Sequence, residues 1–317
     1  MKYINLNIFK IKSKEINKFN SILFPSPQED KYPQINQNKG KLIFIPKPKS
    51  DNSSQNEMHH IPCMYQHTSL FDRPTNKIFI YFHGNAEDIF NATNNVKIIQ
   101  SSLPVNTICM EYPGYSIYYA SKSAEAIEED SLTLFDFLTN DCKVHNKDII
   151  VCGRSIGTGP ATYLASKRKP GALILISPIK SLRDTVKNIV GPMQYLVRDR
   201  FNNYERISHV TCPLLVIHGQ KDNLIPFEDS IKLCEKTAGP YELILPENMN
   251  HNDVNIYEDF YEPINNFLKR HNMLNYKEKE IDIDSKFFEI PDYLQNKDDS
   301  FNNHDWLSSL VRRILSI

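Results

Sequence analysis

The sequence is missing several things that would mark particular classes of protein. It has no CxxC pair: Cys63, Cys109, Cys142, Cys152, Cys212 and Cys234 are scattered. A zinc ribbon or a dithiol redox motif is therefore not expected. Four of these cysteines lie in or beside apolar runs and read as buried, reduced thiols, which fits a reducing compartment, cytosolic or organelle matrix. An excess of basic charge is also missing. Lys and Arg number 37 against 38 Asp and Glu, a net charge of −1, so there is no general basic face for nucleic-acid phosphates. No apolar run reaches the roughly 18 residues of a membrane span. Met1 to Asn20 are Lys-rich but hold neither an Arg nor a continuous apolar stretch, so neither a secretory signal nor a mitochondrial presequence is expected. No Gly-rich phosphate loop appears. His59 and His60 stand without further ligands at zinc spacing, and no cofactor or metal is called for.

What is present is enough apolar material for a core. Hydrophobic residues make up 40% of the 317 and aromatics 11%, and the length suits one large domain or two small ones. Short, unbroken, β-branched runs recur at Lys77–Phe82, Asn106–Met110, Asp148–Cys152, Ala172–Ile176, Leu214–His218 and Glu242–Leu245. Unbroken rather than alternating runs predict strands covered on both faces, as in a parallel sheet. Helical stretches separate them. One is Ser123 to Leu138, with Ser123 as N-cap, and another is Thr158 to Lys169, ended by Pro170-Gly171. Two earlier runs, Leu42–Ile45 and His60–Tyr65, predict an antiparallel hairpin at the sheet edge, where Pro62 would be tolerated. The reading is an α/β fold: eight strands, mostly parallel, helices on both faces. Polar tails are expected at 1–38 and 273–317 around a domain at 39–272. The C-terminal tail ends in a short amphipathic helix, Trp306 to Ile317.

The chemistry falls at turns that follow strands. Gly153-Arg-Ser-Ile-Gly157 is a G-x-S-x-G pattern between a strand and a helix. The pentapeptide alone is common by chance; its setting is not. A turn this tight needs glycine on both sides of Ser155, lifts the hydroxyl out of the sheet, and aims the Ile156 N–H and the helix N-terminus at developing negative charge. Gly159 and Ala161 are expected to let the helix lie close on the strand. A serine needs a base. His251 lies in a polar turn after the run ending at Leu245, at the same carboxyl edge, whereas His218 lies inside an apolar run and reads as a packed core residue. Asp222 follows the run ending at His218 and is the expected orienting carboxylate, with Asp229 as a spare too far into the next helix. The order is then Ser155, Asp222, His251. The loop His83-Gly84-Asn85-Ala86 after the first long strand is expected to supply a second oxyanion donor, the backbone N–H of Asn85, beside that of Ile156. Bulk at Gly84 should then matter more than the Asn85 side chain.

His83-Gly-Asn-Ala, Glu111-Tyr-Pro-Gly-Tyr115, Gly153-Arg-Ser-Ile-Gly-Thr-Gly159, Ser177-Pro178, Val216-Ile-His-Gly219 with Asp222, and His251-Asn-Asp253 together resemble α/β-hydrolase-domain proteins. The resemblance is closest to the α/β-hydrolase-domain-containing protein 17 family of protein depalmitoylases and covers about residues 40–270. It implies the α/β-hydrolase fold with a short lid and serine-hydrolase activity on an acylated protein or a small acyl ester or thioester. This chain departs from that family in three ways. The N-terminal cysteine cluster that carries lipid anchors there is absent, the first cysteine being Cys63. Asn250 stands where a Gly is usual before the histidine, and Glu111 where an Asp is usual. The segment 180–209, with Ile189, Val190, Met193, Tyr195, Leu196 and Phe201, would form a small lid or acyl groove, or else pack as an ordinary helix.

The expected function is thus cleavage of a thioester or ester through an acyl-enzyme, in the cytoplasm, with peripheral membrane attachment or membership of a large assembly left open. Two other readings stay open. One is an accessory subunit of such an assembly, binding protein partners through residues 1–38 and 273–317 around a retained hydrolase core. The other is an amidase or peptidase, because the same triad can cleave amides.

Overall fold

In the computed structural model, the residues described are 40–48, 60–68, 74–185 and 199–291. The expected tail at 1–38, the terminal helix Trp306–Ile317, and Ile189, Val190, Met193, Tyr195 and Leu196 of the expected lid lie outside them.

The apolar runs form the eight strands expected: β1 Lys41–Pro46, β2 His60–Gln66, β3 Ile78–Phe82, β4 Asn106–Met110, β5 Ile149–Arg154, β6 Ala172–Ile176, β7 Leu214–Ile217 and β8 Tyr241–Ile244. They make one sheet in the order β1-β2-β4-β3-β5-β6-β7-β8. β2 runs antiparallel to both neighbours, and every later pair is parallel. Apart from Arg154 at the end of β5, β3 to β7 are buried along their whole length, which is why their sequences are unbroken apolar runs. The edge strand is β1, not the Pro62-bearing β2. Pro62 is tolerated because it sits just past the last β2–β4 pair, Cys63 with Met110, and there its carbonyl accepts the Glu111 N–H at 3.0 Å. Its missing N–H therefore interrupts no ladder.

Helices cover both faces. α1 Ile89–Ser102 is capped by Asp88, whose side chain accepts from the Asn91 N–H. α2 Ala124–Asn140 is capped by Ser123. α3 Thr158–Lys167 follows β5 and packs with α2 and with the short α4 Asn203–Arg206. α5 is Glu228–Lys236. A π-helical turn, Ile256–Tyr261, leads into α6 Glu262–Arg270 and lies against α1 on the other face.

The domain does not end at 272. Met273, Ile281 and Phe287 are buried. The Asn76 N–H donates to the Lys277 carbonyl, and Phe287 meets the Phe137 ring edge-on at 4.8 Å. Residues 273–291 are therefore part of the packed body, held by apolar residues too widely spaced to show as a periodic element.

Candidate functional site

Three turns at the carboxyl edge of the sheet meet at one point. The first follows β5. Ser155 opens a 3-10 turn, Ser155–Gly157, with φ +53°. That left-handed conformation strains a non-glycine residue by about 1–2 kcal/mol, and the surrounding packing fixes it. A Cβ on Gly157 would lie 2.2 Å from the Phe82 carbonyl oxygen, and one on Gly153 would lie 2.4 Å from that of Gly157. Only glycines at both positions let the turn pass against the end of β3. Ala161 helps seat α3 on Gly153, as expected. Gly159 does something else: it leaves room for the ring of Phe201, which a Cβ would meet at 2.4 Å.

The second turn follows β7. Gly219 packs so closely on the Met249 backbone that a Cβ would lie 2.1 Å from its carbonyl oxygen, and the Lys221 N–H donates to the same carbonyl. This brings Asp222 under the third turn. Asp222 Oδ1 accepts the N–H groups of Leu224 and Ile225 at 2.9 and 2.8 Å. Its Oδ2 lies 2.7 Å from His251 Nδ1 and 3.2 Å from His218 Nε2. Burial alone would raise this carboxyl, but bonds from His218, His251 and the Ile225 N–H outweigh it and hold Asp222 well below the usual carboxylate range. His251 Nε2 in turn lies 3.0 Å from Ser155 Oγ. A proton on Nδ1 facing the carboxylate leaves Nε2 as an acceptor for the hydroxyl, a tautomer assigned from the network. Asp229 stays apart, paired with Lys232 on α5.

His218 is buried as expected of a core residue, yet it has a polar task. Nε2 faces Asp222 and the Ile225 carbonyl, and Nδ1 lies 2.6 Å from the Ser230 hydroxyl. A neutral ring protonated on Nε2 and accepting from Ser230 satisfies every contact. The signal in the sequence was its spacing, four residues before Asp222. Asn250 also gains a reason: its Oδ1 accepts the N–H groups of Asn252 and Asp253 at 2.9 and 3.1 Å and so fixes the turn that carries His251.

The His83–Ala86 loop stands on a buried pair, His83 and Glu111. His83 and Glu111 are both fully buried. His83 Nδ1 faces the Gly84 carbonyl at 2.9 Å, and Nε2 faces Glu111 Oε1 at 3.2 Å. Each ring nitrogen therefore faces an acceptor oxygen. Desolvation would lower the ring's pKa, but the hydrogen bond and charge of Glu111 prevail and raise it. Glu111 also accepts the N–H groups of Ile89 and Tyr112, Tyr112 stacks on His83 at 3.9 Å, and its hydroxyl donates to the His83 carbonyl at 2.8 Å. Glu111, in place of the usual Asp, thus reaches the histidine itself. Burial, with Glu111 nearby, pushes Asp88 up to about 6. Asn85 is exposed at the head of this loop, and Tyr115 donates to its Oδ1 at 2.9 Å. Ile156 is buried beside Ser155.

One connection was not foreseen. Arg154 donates through Nη1 to Glu87 Oε1 at 2.6 Å and through Nη2 to the His251 carbonyl at 2.9 Å. Glu87 Oε2 accepts the Gly84 N–H at 3.0 Å. The x position before the serine carried no signal of this. All six cysteines are free and buried, and burial raises the Cys109 and Cys152 thiols. Among the described residues, no group of three or more His, Cys, Asp or Glu could hold a metal ion, and no helix is long and apolar enough to cross a membrane.

A mostly parallel eight-stranded sheet carrying such an elbow at its carboxyl edge makes the protein an α/β hydrolase. Its fold is shared with the Pyrococcus furiosus esterase (TM-score 0.60, 16% identity, 78% of this chain and 98% of that one) and with Est1E from Butyrivibrio proteoclasticus (TM-score 0.57, 14% identity, 74% and 99%). In sequence the chain is 30% identical over 216 residues to alpha/beta hydrolase domain-containing protein 17B of Xenopus tropicalis, covering 66% of this chain and 71% of that protein. It is 29% identical over 218 residues to the human 17B protein, covering 67% and 72%. No family model matches. On this similarity the chain belongs to the alpha/beta hydrolase domain-containing protein 17 family.

Proposed function

We propose that the protein is a serine hydrolase that cleaves a thioester or ester, with the acyl group of a lipidated protein as the substrate class implied by its family. The observation that carries this is His251 bridging Asp222 at 2.7 Å and Ser155 at 3.0 Å. Ser155 Oγ attacks the carbonyl carbon while His251 Nε2 takes its proton. Asp222 holds the ring in the needed tautomer and stabilises the imidazolium. The backbone N–H groups of Asn85 and Ile156 receive the negative charge on the carbonyl oxygen. The proton then passes from His251 to the departing thiolate or alkoxide, leaving an acyl-Ser155 ester. Water, deprotonated by the same histidine, attacks that ester, releases the carboxylic acid and restores the serine hydroxyl.

The test is fluorophosphonate labelling of the wild type and of Ser155→Ala, followed by panels of acyl thioesters, esters and peptides. Labelling that disappears in the variant, with thioester or ester turnover exceeding peptide turnover, is the expected result. An unlabelled wild type overturns the proposal, and preferential peptide cleavage replaces the ester reading with the amidase one.

A further inference from the structure

Behind the elbow, between α1 and the segment 252–264, lies a cavity of about 380 Å³. That is within the range of small-molecule sites, about 300–1,000 Å³, and well above the water-sized voids that packed interiors tolerate. Ser155, Asp222 and His251 are not part of its wall. The wall is divided about equally between polar and hydrocarbon surface, the hydrocarbon coming from Phe79, Val96, Ile99, Ile176, Val254 and Ile264. Its lip carries exposed hydrocarbon. Ile256, which lines it, is 37% exposed and the adjoining Tyr257 is 55% exposed; among the described residues, only Tyr241 is a further large hydrophobic side chain exposed in this way. The lip is carried on the π-helical turn Ile256–Tyr261, a kind of irregularity that recurs at functional sites. The polar end of the cavity holds Glu87, Asn95, Arg154 and Asn252. Glu87 and Arg154 are paired at 2.6 Å.

We propose that this cavity is a second binding site, for an uncharged amphiphile: an aliphatic chain of medium length with a hydroxyl or similar head. The hydrocarbon half of the wall matches an aliphatic chain, whose transfer from water is favourable by about 25 cal/mol per Å². The head group follows from the ion pair. The Glu87–Arg154 pair is already neutral, so a carboxylate or an ammonium would bring in a partly buried charge with no counter-charge of its own, next to the like-charged member of the pair. A hydroxyl donates to the remaining lone pairs of Glu87 and breaks nothing. The site holds none of Ser155, Asp222 and His251, and it touches their surroundings only through Glu87 and Arg154.

Binding is measured by calorimetry on Ser155→Ala protein, with decanol, decanoate and decylamine as probes, and the occupied site is mapped with a diazirine-bearing decanol. Saturable decanol binding is expected, tighter than that of either charged probe, with photo-adducts on the peptides holding residues 95–99 and 252–264. Filling the cavity from its partly exposed walls, by Val254→Trp and separately by Ile98→Trp, should weaken decanol binding about tenfold or more in protein whose thermal unfolding stays cooperative. Any of four outcomes overturns the proposal: no saturable binding, adducts confined to the peptides holding Tyr112, Ile156 and Phe201, affinity unmoved by both substitutions, or decanoate binding as tightly as decanol. Failure of fluorophosphonate labelling would remove the hydrolase mechanism and leave this result standing, so the two are separable.

Discussion

Arg154 Nη2 donates to the carbonyl oxygen of His251 at 2.9 Å, across 97 residues of sequence. The guanidinium's other arm holds Glu87, which holds the Gly84 N–H. One side chain thus fixes the loop that carries the proposed base relative to the loop that carries a proposed oxyanion donor. Arg154→Met should lower the fluorophosphonate labelling rate by about tenfold or more, because misplacement by an ångström costs on that scale. Arg154→Lys should fall between, as an ammonium cannot make both bonds in one plane.

Asp222→Asn should be more damaging than the loss of one hydrogen bond. The amide would present an N–H₂ or a neutral oxygen to both His251 and His218, turning the first to the wrong tautomer and leaving the second unmatched. Turnover should drop by about 10⁴-fold, measured with whichever thioester or ester the wild type cleaves best.

The strained serine has a stability signature. Ser155→Gly relieves the positive φ, whereas Ser155→Ala keeps it, so the glycine variant should be the more stable of the two by about 1 kcal/mol in urea unfolding, with neither variant labelled.

The two glycines near the oxyanion loop should behave differently. A Cβ on Gly84 would meet its nearest neighbour, Arg154 Nη1, at 3.4 Å, which is ordinary contact. Gly84→Ala should therefore be mild. Gly157→Ala drives a methyl into the Phe82 and His83 carbonyls and should cost about 1–3 kcal/mol or more, along with labelling. The side chain of Asn85, expected to matter less than bulk at Gly84, is tied to Tyr115, so Asn85→Ala should slow labelling without changing stability much.

Asp88 gives a pH dependence of definite sign. Its folded pKa is raised to about 6, above the unfolded value of about 3.9. The folded form therefore binds the proton more tightly, and stability rises as pH falls from about 6 to about 4. Asp88→Asn keeps the cap on α1 but has no proton to bind. Its urea midpoint should be flatter across that window than the wild type's and at least equal at pH 8.

The strand positions were legible because strands covered on both faces must be continuously apolar, and the three turns were legible because tight turns and caps restrict residue type. Ser155, Asp222 and His251 each announced themselves by following a strand, so the sheet order alone brought them together. Arg154 did not. Its partners come from the turn before α1 and from the loop before α6, and nothing local in Gly-Arg-Ser distinguishes a structural guanidinium from a solvated one. His218 was misleading in part because the same apolar run that marks β7 hides a histidine with a polar duty. Residues 273–291 were read as a tail because Met273, Ile281 and Phe287 are separated by charged residues, and burial of isolated side chains leaves no period.

The packing of 273–291 bears on how the chain can be shortened. Ile281, Ile283 and Phe288 lie beside Lys41, Tyr65 and Gln66 at the antiparallel margin of the sheet, and Lys277 is bonded to Asn76 at the entrance to β3. A truncation at 276 would peel this strap away, wet Ile281 and Phe287, and expose the backbone of β1 to edge-to-edge association. Loss of turnover in such a protein would then report a damaged body rather than a missing appendage. A cut after 291 removes the remaining residues and leaves the strap in place.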